Sequence, residues 1–376
     1  MTMGEHVVCG VDAHEKWLDC RIGVDREAPE RRRYENNREG RGELFEQLEV
    51  LAEEHDGAKV MVGYEASLLG FGLYDDCREQ GFECAVLAPT KIARSVEDRK
   101  RKTDDRDATR ILEALRAHVL AGNALPAIWI PDVETRDDRE LLRARLDLSE
   151  KLSRVKTQVR MLLKRNGVEK PKEVGARWTI PFRAWVAALK LTPGAQSWLS
   201  SLLRQVKFLE EEIKLLDRQV LELSQTARYR EPSEALCKIG GVGLFTAMVY
   251  LTEMGDLSRF KNRKKIGAFL GLVPSSDESG ESGDRKGHIT HQGPRRVRKV
   301  LCQGVWARIH TDREEAQVYR RMVERNPKHK KIAVVGCMRR LAILMWHVGS
   351  EAQRRAGCFV TEVPAELGAG AAVGGN

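Results

Sequence analysis

Four acidic residues in the first third of this 376-residue chain are of the type and spacing that phosphodiester chemistry uses. Cutting a strand with metal assistance needs several carboxylates converging on one point. Hard Mg²⁺ takes oxygen ligands, and two ions can share the charge on the attacking and leaving oxygens. Asp12 falls in the apolar run VVCGVDA (7–13), and Glu65 closes a second run, KVMVGYE (59–65). If these are neighbouring strands, about 4.8 Å apart, the two side chains can face each other. Asp104 and Asp107 are three residues apart in TDDRDATRILEALRAHVL (103–120), so a helix there carries both on one face and closes the cluster from the side. Each acid alone has an ordinary reading as a turn residue, a surface charge or a partner of the helix dipole. Their joint placement favours a site, because carboxylates in buried strands are costly unless paired or bound to a cation.

A second constellation lies in the last third. KIGGVG (238–243) has the pattern of a helix-hairpin-helix turn, in which Gly241 and Gly243 would let backbone N–H groups approach a phosphate. A tight connection between two helices explains the same glycines. A polar loop at 275–294 carries Ser275, Ser276, Ser279 and Ser282, with Arg285, Lys286, Arg295, Arg296, Arg298 and Lys299 in and after it. Such cations can hold phosphates near a hydroxyl that attacks them. These residues alone do not select the serine. In RSVEDRKRK (94–102), Arg94, Arg99, Lys100, Arg101 and Lys102 immediately precede Asp104, where backbone contacts would position a strand without reading its sequence.

The elements that must position these groups are legible in outline. Strands are expected at 7–13, 17–23, about 31–34, 59–65 and 83–89, with helices from about Glu43 to Glu54, near 68–79 and over 103–120. That is a βββαβα order within an α/β domain over 1–125. LPAIWIPD (125–132) reads as a linker opening the 126–231 segment. Leu148, Leu152, Val155, Val159 and Leu162, and later Val206, Leu209, Ile213, Leu216, Val220 and Leu223, step by three and four. They predict two long coiled-coil helices that pair with each other or with a second copy. The stretch 166–200, with Trp178, Trp185 and Trp198, receives no role. A mainly helical domain is expected over 232–363, and a disordered tail over 364–376. The fold class is thus α/β plus α.

A formal charge of +9 favours a polyanionic partner, with nucleic acid the better choice. No apolar run approaches the roughly 20 residues that span a bilayer, so no membrane partner is expected. Eight cysteines form no C-x-x-C pair, which argues against a zinc knuckle and for reduced thiols in cytoplasm. The chain has no phosphate-binding G-x-x-x-x-G-K-[ST] loop, so strand cutting powered by nucleotide hydrolysis is not expected.

GVDAHEKWLD (10–19), VGYEA (62–66) and LAPTKIARSVEDRKRKTDDRDATRI (87–111) resemble the RuvC-like domain of the DEDD transposases of bacterial insertion sequences, a family of bridge-RNA-guided recombinases. The resemblance implies an RNase H-like fold with Asp12, Glu65, Asp104 and Asp107 holding Mg²⁺ or Mn²⁺. GAFLGLVP (267–274), an S-G pair, GHIT (287–290), Gly293 and a basic helix resemble the family's C-terminal domain, whose nucleophile is the serine of that S-G pair. Counted from Pro274 this is Ser279. The chain departs from the pattern in repeating S-G at Ser282, which stands in reserve, and in carrying His291 where a lysine is common. The resemblance further implies DNA as substrate, a structured guide RNA, and dimers that form a tetramer on DNA. The competing reading is a RuvC-like nuclease or junction resolvase that activates water and forms no covalent intermediate; a third is a nucleic-acid-binding scaffold without catalysis.

Overall fold

The computed structural model describes residues 5–91, 104–175, 178–279 and 282–358, with backbone alone at 104–105, 276–279 and 282–286. The chain divides into two compact units, with the boundary between Ile130 and Pro131. The proposed tail at 364–376 and the basic residues Arg94, Arg99, Lys100, Arg101 and Lys102 lie outside the described residues.

The first unit runs β1 (His6–Ala13), β2 (Trp17–Val24), β3 (Glu30–Glu35), α1 (Arg38–Glu54), β4 (Lys59–Glu65), α2 (Gly72–Glu79), β5 (Glu83–Leu87) and α3 (Asp104–Ala121). The strands form one mixed sheet in the order β3-β2-β1-β4-β5. β2 pairs antiparallel with β1 and β3, while β4 runs parallel to β1 and β5. Both faces are covered, as the continuous apolar runs require. Val7, Cys9 and Val11 face a layer with Leu44 and Leu48 of α1 and Cys77 of α2. Val8, Met61, Ala85 and Leu87 face Ile111, Leu112 and Leu115 of α3. This architecture is consistent with an RNase H-like domain.

Three boundaries differ from expectation, one of them the start of α2 at Gly72 rather than near 68. α1 starts at Arg38 rather than near Glu43, because the Asn37 side chain accepts a hydrogen bond from the Gly40 N–H at 2.8 Å and caps the helix early. The segment expected as a linker from 125 is fastened to the sheet instead. Leu125 is buried against α3, the Ala88 N–H donates to the Pro126 carbonyl, and the Ile128 N–H donates to Val86 O at 2.8 Å.

The second unit comprises α4 (Val133–Arg165), α5 (Ile180–Ala188), α6 (Pro193–Ser224), α7 (Arg230–Cys237), α8 (Leu244–Met254), α9 (Arg263–Phe269), β6 (Pro274–Ser279), β7 (Ser282–Ile289), α10 (Arg295–Thr311), α11 (Arg313–Arg325) and α12 (Lys330–Arg355). α4, about 50 Å long at 1.5 Å per residue, packs Val155, Val159 and Leu162 against Leu199, Leu202 and Val206 of α6. The stretch 166–200 closes the end of this helical hairpin. Phe182 packs between Trp178 (tilted) and Trp185 (edge-to-face) at centroid distances of 5.2 and 5.5 Å, and Val186 is fully buried. At the other end, Leu142 and Leu146 of α4 join the core formed by α7 to α10 and α12. Arg143 forks onto the buried Glu253 carboxylate at 3.0 and 3.3 Å, fixing α4 to α8.

The segment 275–294 is corrected from loop to ribbon over most of its length: β6 and β7 pair antiparallel, with irregularities after Pro274 and Asp277. Among the described residues, Pro327–Arg355 is long and apolar enough by composition to cross a membrane. Its Cys337, Met338, Leu341 and Met345 lie in the helical core.

Candidate active site

The sheet brings two of the four predicted acids to one level. β1 and β4 are in parallel register through Val11–Tyr64, and Asp12 and Glu65 each stand one residue further on. Alternation along a strand assigns both to the face that carries Val8, Gly10, Met61 and Gly63, the face covered by α3. That helix lies on bare backbone. A Cβ on Gly10 would come within 2.4 Å of Ala108 O and Leu112 N, and one on Gly63 would meet the Leu115 side chain at 2.8 Å. Further back, the Arg116 guanidinium occupies the space beside Gly23, which pairs with Val8. α3 therefore runs against β1, and its first turn, with Asp104 and Asp107, points toward the Asp12 end of the strand.

The side chains there are highly charged. Asp12 is 19% exposed and lies 3.2 Å from His14 Nε2. Asp107 is buried, its Oδ1 accepts no hydrogen bond, and its ion-pair partner is the Arg110 guanidinium one turn along the same helix. A carboxylate oxygen so withdrawn from water demands a positive neighbour. Among the described residues, which leave out the Asp104 side chain, no three His, Cys, Asp or Glu side chains are close enough together to hold a metal ion. The donor set nevertheless fits a hard divalent cation: carboxylate oxygens from two strand ends and a helix start.

Sequence reasoning missed Asp19. The register places it level with Asp12 on β2 and with Arg33 on β3, so Glu65, Asp12, Asp19 and Arg33 form a row across four adjacent strands. Asp19 is 3% exposed, and Arg33 forks onto both its oxygens at 2.8 and 3.0 Å. The available signal was an acid in mid-strand between Leu18 and Cys20, which cannot stay charged there without a partner.

In the second unit, Ser279 and Ser282 are register partners at the end of the β6–β7 ribbon. They stand at the same level, so position along the ribbon does not choose between them. Arg285 and Lys286 lie on β7 opposite Asp277 and Ser276. The ribbon is anchored at its root. Gly271 and Gly293, both with positive φ, let the end of α9 and the approach to α10 pass backbone against backbone. The Arg298 guanidinium donates to the carbonyls of Leu270, Gln292 and Gly293 at 3.1, 2.7 and 3.1 Å. Burial and nearby Arg295 hold its pKa below the usual value. Arg298, expected to bind nucleic acid, is thus committed to the ribbon's base. Lys299 and Arg296 reach Glu150 and Asp147 of α4 at 2.8 and 3.8 Å; the Lys299 hydrogen bond holds the Glu150 carboxyl below its ordinary pKa. Arg295 is exposed. Gly241 has a packing role: at φ +78, a Cβ there would strike Gly304 O and the Arg308 side chain, each at 2.6 Å. A Cβ at Gly243, the N-cap of α8, would meet nothing within 4 Å.

Comparison with known proteins matches both regions. Residues 9–166 fit the DEDD transposase profile of IS110-type elements, and 233–320 fit the profile described as Transposase IS116/IS110/IS902 family. The chain belongs to the IS110/IS116 family of DEDD transposases. The candidate transposase y4qE of Sinorhizobium fredii is 28% identical to this transposase over 326 residues, 77% of this chain and 75% of its own. The transposase for insertion sequence element IS1533 of Leptospira borgpetersenii is 26% identical over 245 residues, 65% of this chain and 69% of its own. That for IS1111A of Coxiella burnetii is 25% identical over 228 residues, 60% of each. As a family member the protein is an insertion-sequence transposase and acts on DNA as a recombinase.

Proposed function

We propose that this transposase exchanges DNA strands through a covalent intermediate, with Asp12, Glu65, Asp104 and Asp107 forming an RNase H-like metal site and Ser279 acting as nucleophile. The observation that carries the reading is the placement of Asp12 and Glu65 level on adjacent strand ends, with the first turn of α3 directed toward them across the bare backbone at Gly10. Bound there, Mg²⁺ or Mn²⁺ would neutralise charge on the phosphoryl oxygens. The chain's own residues do the positioning. The strands fix two carboxylates, α3 brings two more, and Arg110 balances Asp107.

In the chemical step, the Ser279 oxygen forms a bond to phosphorus while a phosphorus–oxygen bond of the DNA backbone breaks. The departing sugar hydroxyl leaves with a proton. One phosphodiester is exchanged for one phosphoserine ester, so rejoining is the same step reversed and needs no nucleotide hydrolysis. The second copy of the chain, and a structured guide RNA that selects sequence, belong to this reading through the family resemblance. The coiled-coil helices α4 and α6 supply a surface long enough for subunit pairing.

The test is a trapping experiment on nicked DNA that cannot religate. Wild type gives a protein–DNA adduct in Mg²⁺, Ser279→Ala gives none, and Asp12→Asn and Asp107→Asn lose cutting by at least a hundredfold. An adduct that persists in Ser279→Ala and disappears in Ser282→Ala moves the nucleophile to the second S-G pair. Cutting by Ser279→Ala without adduct replaces the proposal by the water-activating nuclease.

A further inference from the structure

β4 does not run directly into its helix. Between Glu65 and α2 the chain makes a turn, ASLLGF (66–71), whose apolar side chains are sorted to two sides. Ala66 and Phe71 pack against the core that holds Leu73 of α2, and the Ala66 N–H donates to Leu87 O at 2.9 Å. On the far side of the turn, Arg41 of α1 donates to Asp76 of α2 at 2.6 Å and ties the two helices together. Leu68 and Leu69 take no part in this packing. Leu68 is fully exposed and Leu69 is 43% exposed. The Leu69 N–H donates to the Ser67 hydroxyl at 3.2 Å, and Gly70 turns the chain back at φ +75 with nothing within 4 Å of where its Cβ would stand. Turn tips are ordinarily built from Gly, Pro, Asn, Asp and Ser, whose side chains suit water and tight backbone. One exposed leucine on a protein surface calls for no explanation. Two in succession do, when they crown a turn anchored at both ends and begin three residues past a proposed metal ligand.

We propose that Leu68 is a wedge that enters the base stack of duplex DNA beside the phosphate held at the acids. Three residues of chain span at most about 10 Å, so Leu68 stands within about three base steps of Glu65 at roughly 3.4 Å per step. An apolar side chain pushed between two bases exchanges water for their faces, and the partial unstacking kinks the duplex. An opened step lets its backbone bend toward the strand ends, where the carboxylates are. Leu69 follows with a second apolar contact. The packing of Ala66 and Phe71 supplies the stiffness a wedge needs, since a loose loop would fold back instead of parting a stack. DNA is favoured over a second copy of the chain as the occupant, because a protein seated on Leu68 would stand between the acids and their substrate. The inference rests on the carboxylate reading for the wedge's position along the DNA, and on the exposed Leu68 on its anchored turn for its chemistry.

The test follows 2-aminopurine, whose fluorescence rises when bases unstack, in short DNA duplexes that carry it in place of several adenines. Full-length protein is added with Ca²⁺ in place of Mg²⁺, at low salt, where binding needs no particular sequence. Wild type should raise the fluorescence. It should also bind a duplex with one central mismatched step roughly tenfold more tightly than the paired duplex, the unstacking cost of one step shared over the many registers a paired duplex offers. Leu68→Ala should leave the fluorescence flat and bind both duplexes alike, while Leu68→Phe should behave as wild type. Val50→Ala, which trims another exposed side chain on α1, should change nothing. Because Leu68 is exposed, its substitutions remove no packing, and circular dichroism melts of all the variants should coincide. A fluorescence rise that survives in Leu68→Ala overturns the proposal, as does wild-type protein that binds the duplex without one. Loss of self-association by Leu68→Ala in sedimentation, with the rise intact, would overturn it in favour of a second copy on the tip. Nothing is cut in these measurements; cutting by Asp12→Asn in Mg²⁺ is read alongside, so failure of the carboxylate reading is seen apart from failure of the wedge.

Discussion

Two glycines of the first unit make opposite forecasts for the same substitution. At Gly10, an added methyl group would sit 2.4 Å from two backbone atoms of α3, Ala108 O and Leu112 N, which no rotamer change can move. Relief to ordinary contact near 3.4 Å requires α3 to withdraw by about 1 Å from β1. The layer it would loosen contains Ile111, Leu112 and Leu115, each at most 1% exposed and worth roughly 2 kcal/mol by burial. A gap of that size forfeits a quarter to a half of the contact energy. Gly10→Ala should therefore cost about 1.5–3 kcal/mol, in line with other overpacked cores. At Gly42, on the exposed side of α1, a methyl group would meet nothing within 4 Å, so Gly42→Ala should stabilise by about 0.5–1 kcal/mol through helix propensity alone. Hydrogen exchange of α3 and α1 amides in the intact protein, together with urea unfolding, reads both effects. Since a displacement near 1 Å can reduce catalysis about a hundredfold, Gly10→Ala should also lower DNA cutting by that order while Gly42→Ala leaves it intact. Wild-type protection of α3 in Gly10→Ala, or destabilisation by Gly42→Ala, would refute the claim that the helix rests on strand backbone.

Other substitutions probe the remaining charged contacts. Arg110→Gln leaves Asp107 buried without its cation, so the metal-free protein should lose about 3–5 kcal/mol and Mg²⁺ should raise its Tm by more than it raises the wild type's; equal Mg²⁺ shifts would count against a metal at Asp107. Arg298→Ala should speed amide exchange in β7 by roughly 5- to 150-fold, matching about 1–3 kcal/mol of lost hydrogen bonding, with partial recovery in Arg298→Lys; unchanged exchange would show that the glycine contacts suffice. The Tyr229 hydroxyl donates to Asp138 at 2.6 Å, and burial, outweighing that bond and Arg228, holds the Asp138 carboxyl above the usual carboxylate range. Because the native value lies above the unfolded one, Asp138 favours the fold increasingly as pH drops through the raised value toward the ordinary one near 3.9. Tyr229→Phe removes a bond to the charged form, so its loss of about 1–3 kcal/mol at pH 7 should shrink by pH 4, and a loss independent of pH would mean the carboxyl is already protonated at neutrality.

Legibility in the sequence followed hydrophobic pattern. β1, β4 and β5 are continuous apolar runs, and the seams of α4 and α6 repeat at helical spacing, so these elements could be read directly, while the level of Asp12 and Glu65 depended on β1 and β4 being neighbours. β3 is nearly all charge, so its strand was legible only as a possible third at about 31–34, and the Arg33–Asp19 fork appears only once the register is known. The β6–β7 ribbon is built from Ser, Gly and charged residues with no alternation to detect. It is held from outside by Arg298 and two glycines whose partners lie elsewhere in the chain. Trp178, Phe182 and Trp185 looked unassignable because their period is broken by Pro181, although that proline merely opens α5. At Gly241 the residue type suggested an approach to phosphate, and the neighbour turned out to be α10.

β1 has one further property that follows from its two covered sides. Val7, Cys9 and Val11 are sealed on one, and Val8 and Gly10 on the other, with no position to spare. Sliding β1 by a single residue against β4 would push Asp12 into a hydrocarbon layer and force a branched side chain into the gap reserved for Gly10. A molecule that has folded has therefore, by that fact alone, brought Asp12 level with Glu65. Proofreading of that carboxylate register is done by the hydrophobic core during collapse, before any DNA arrives.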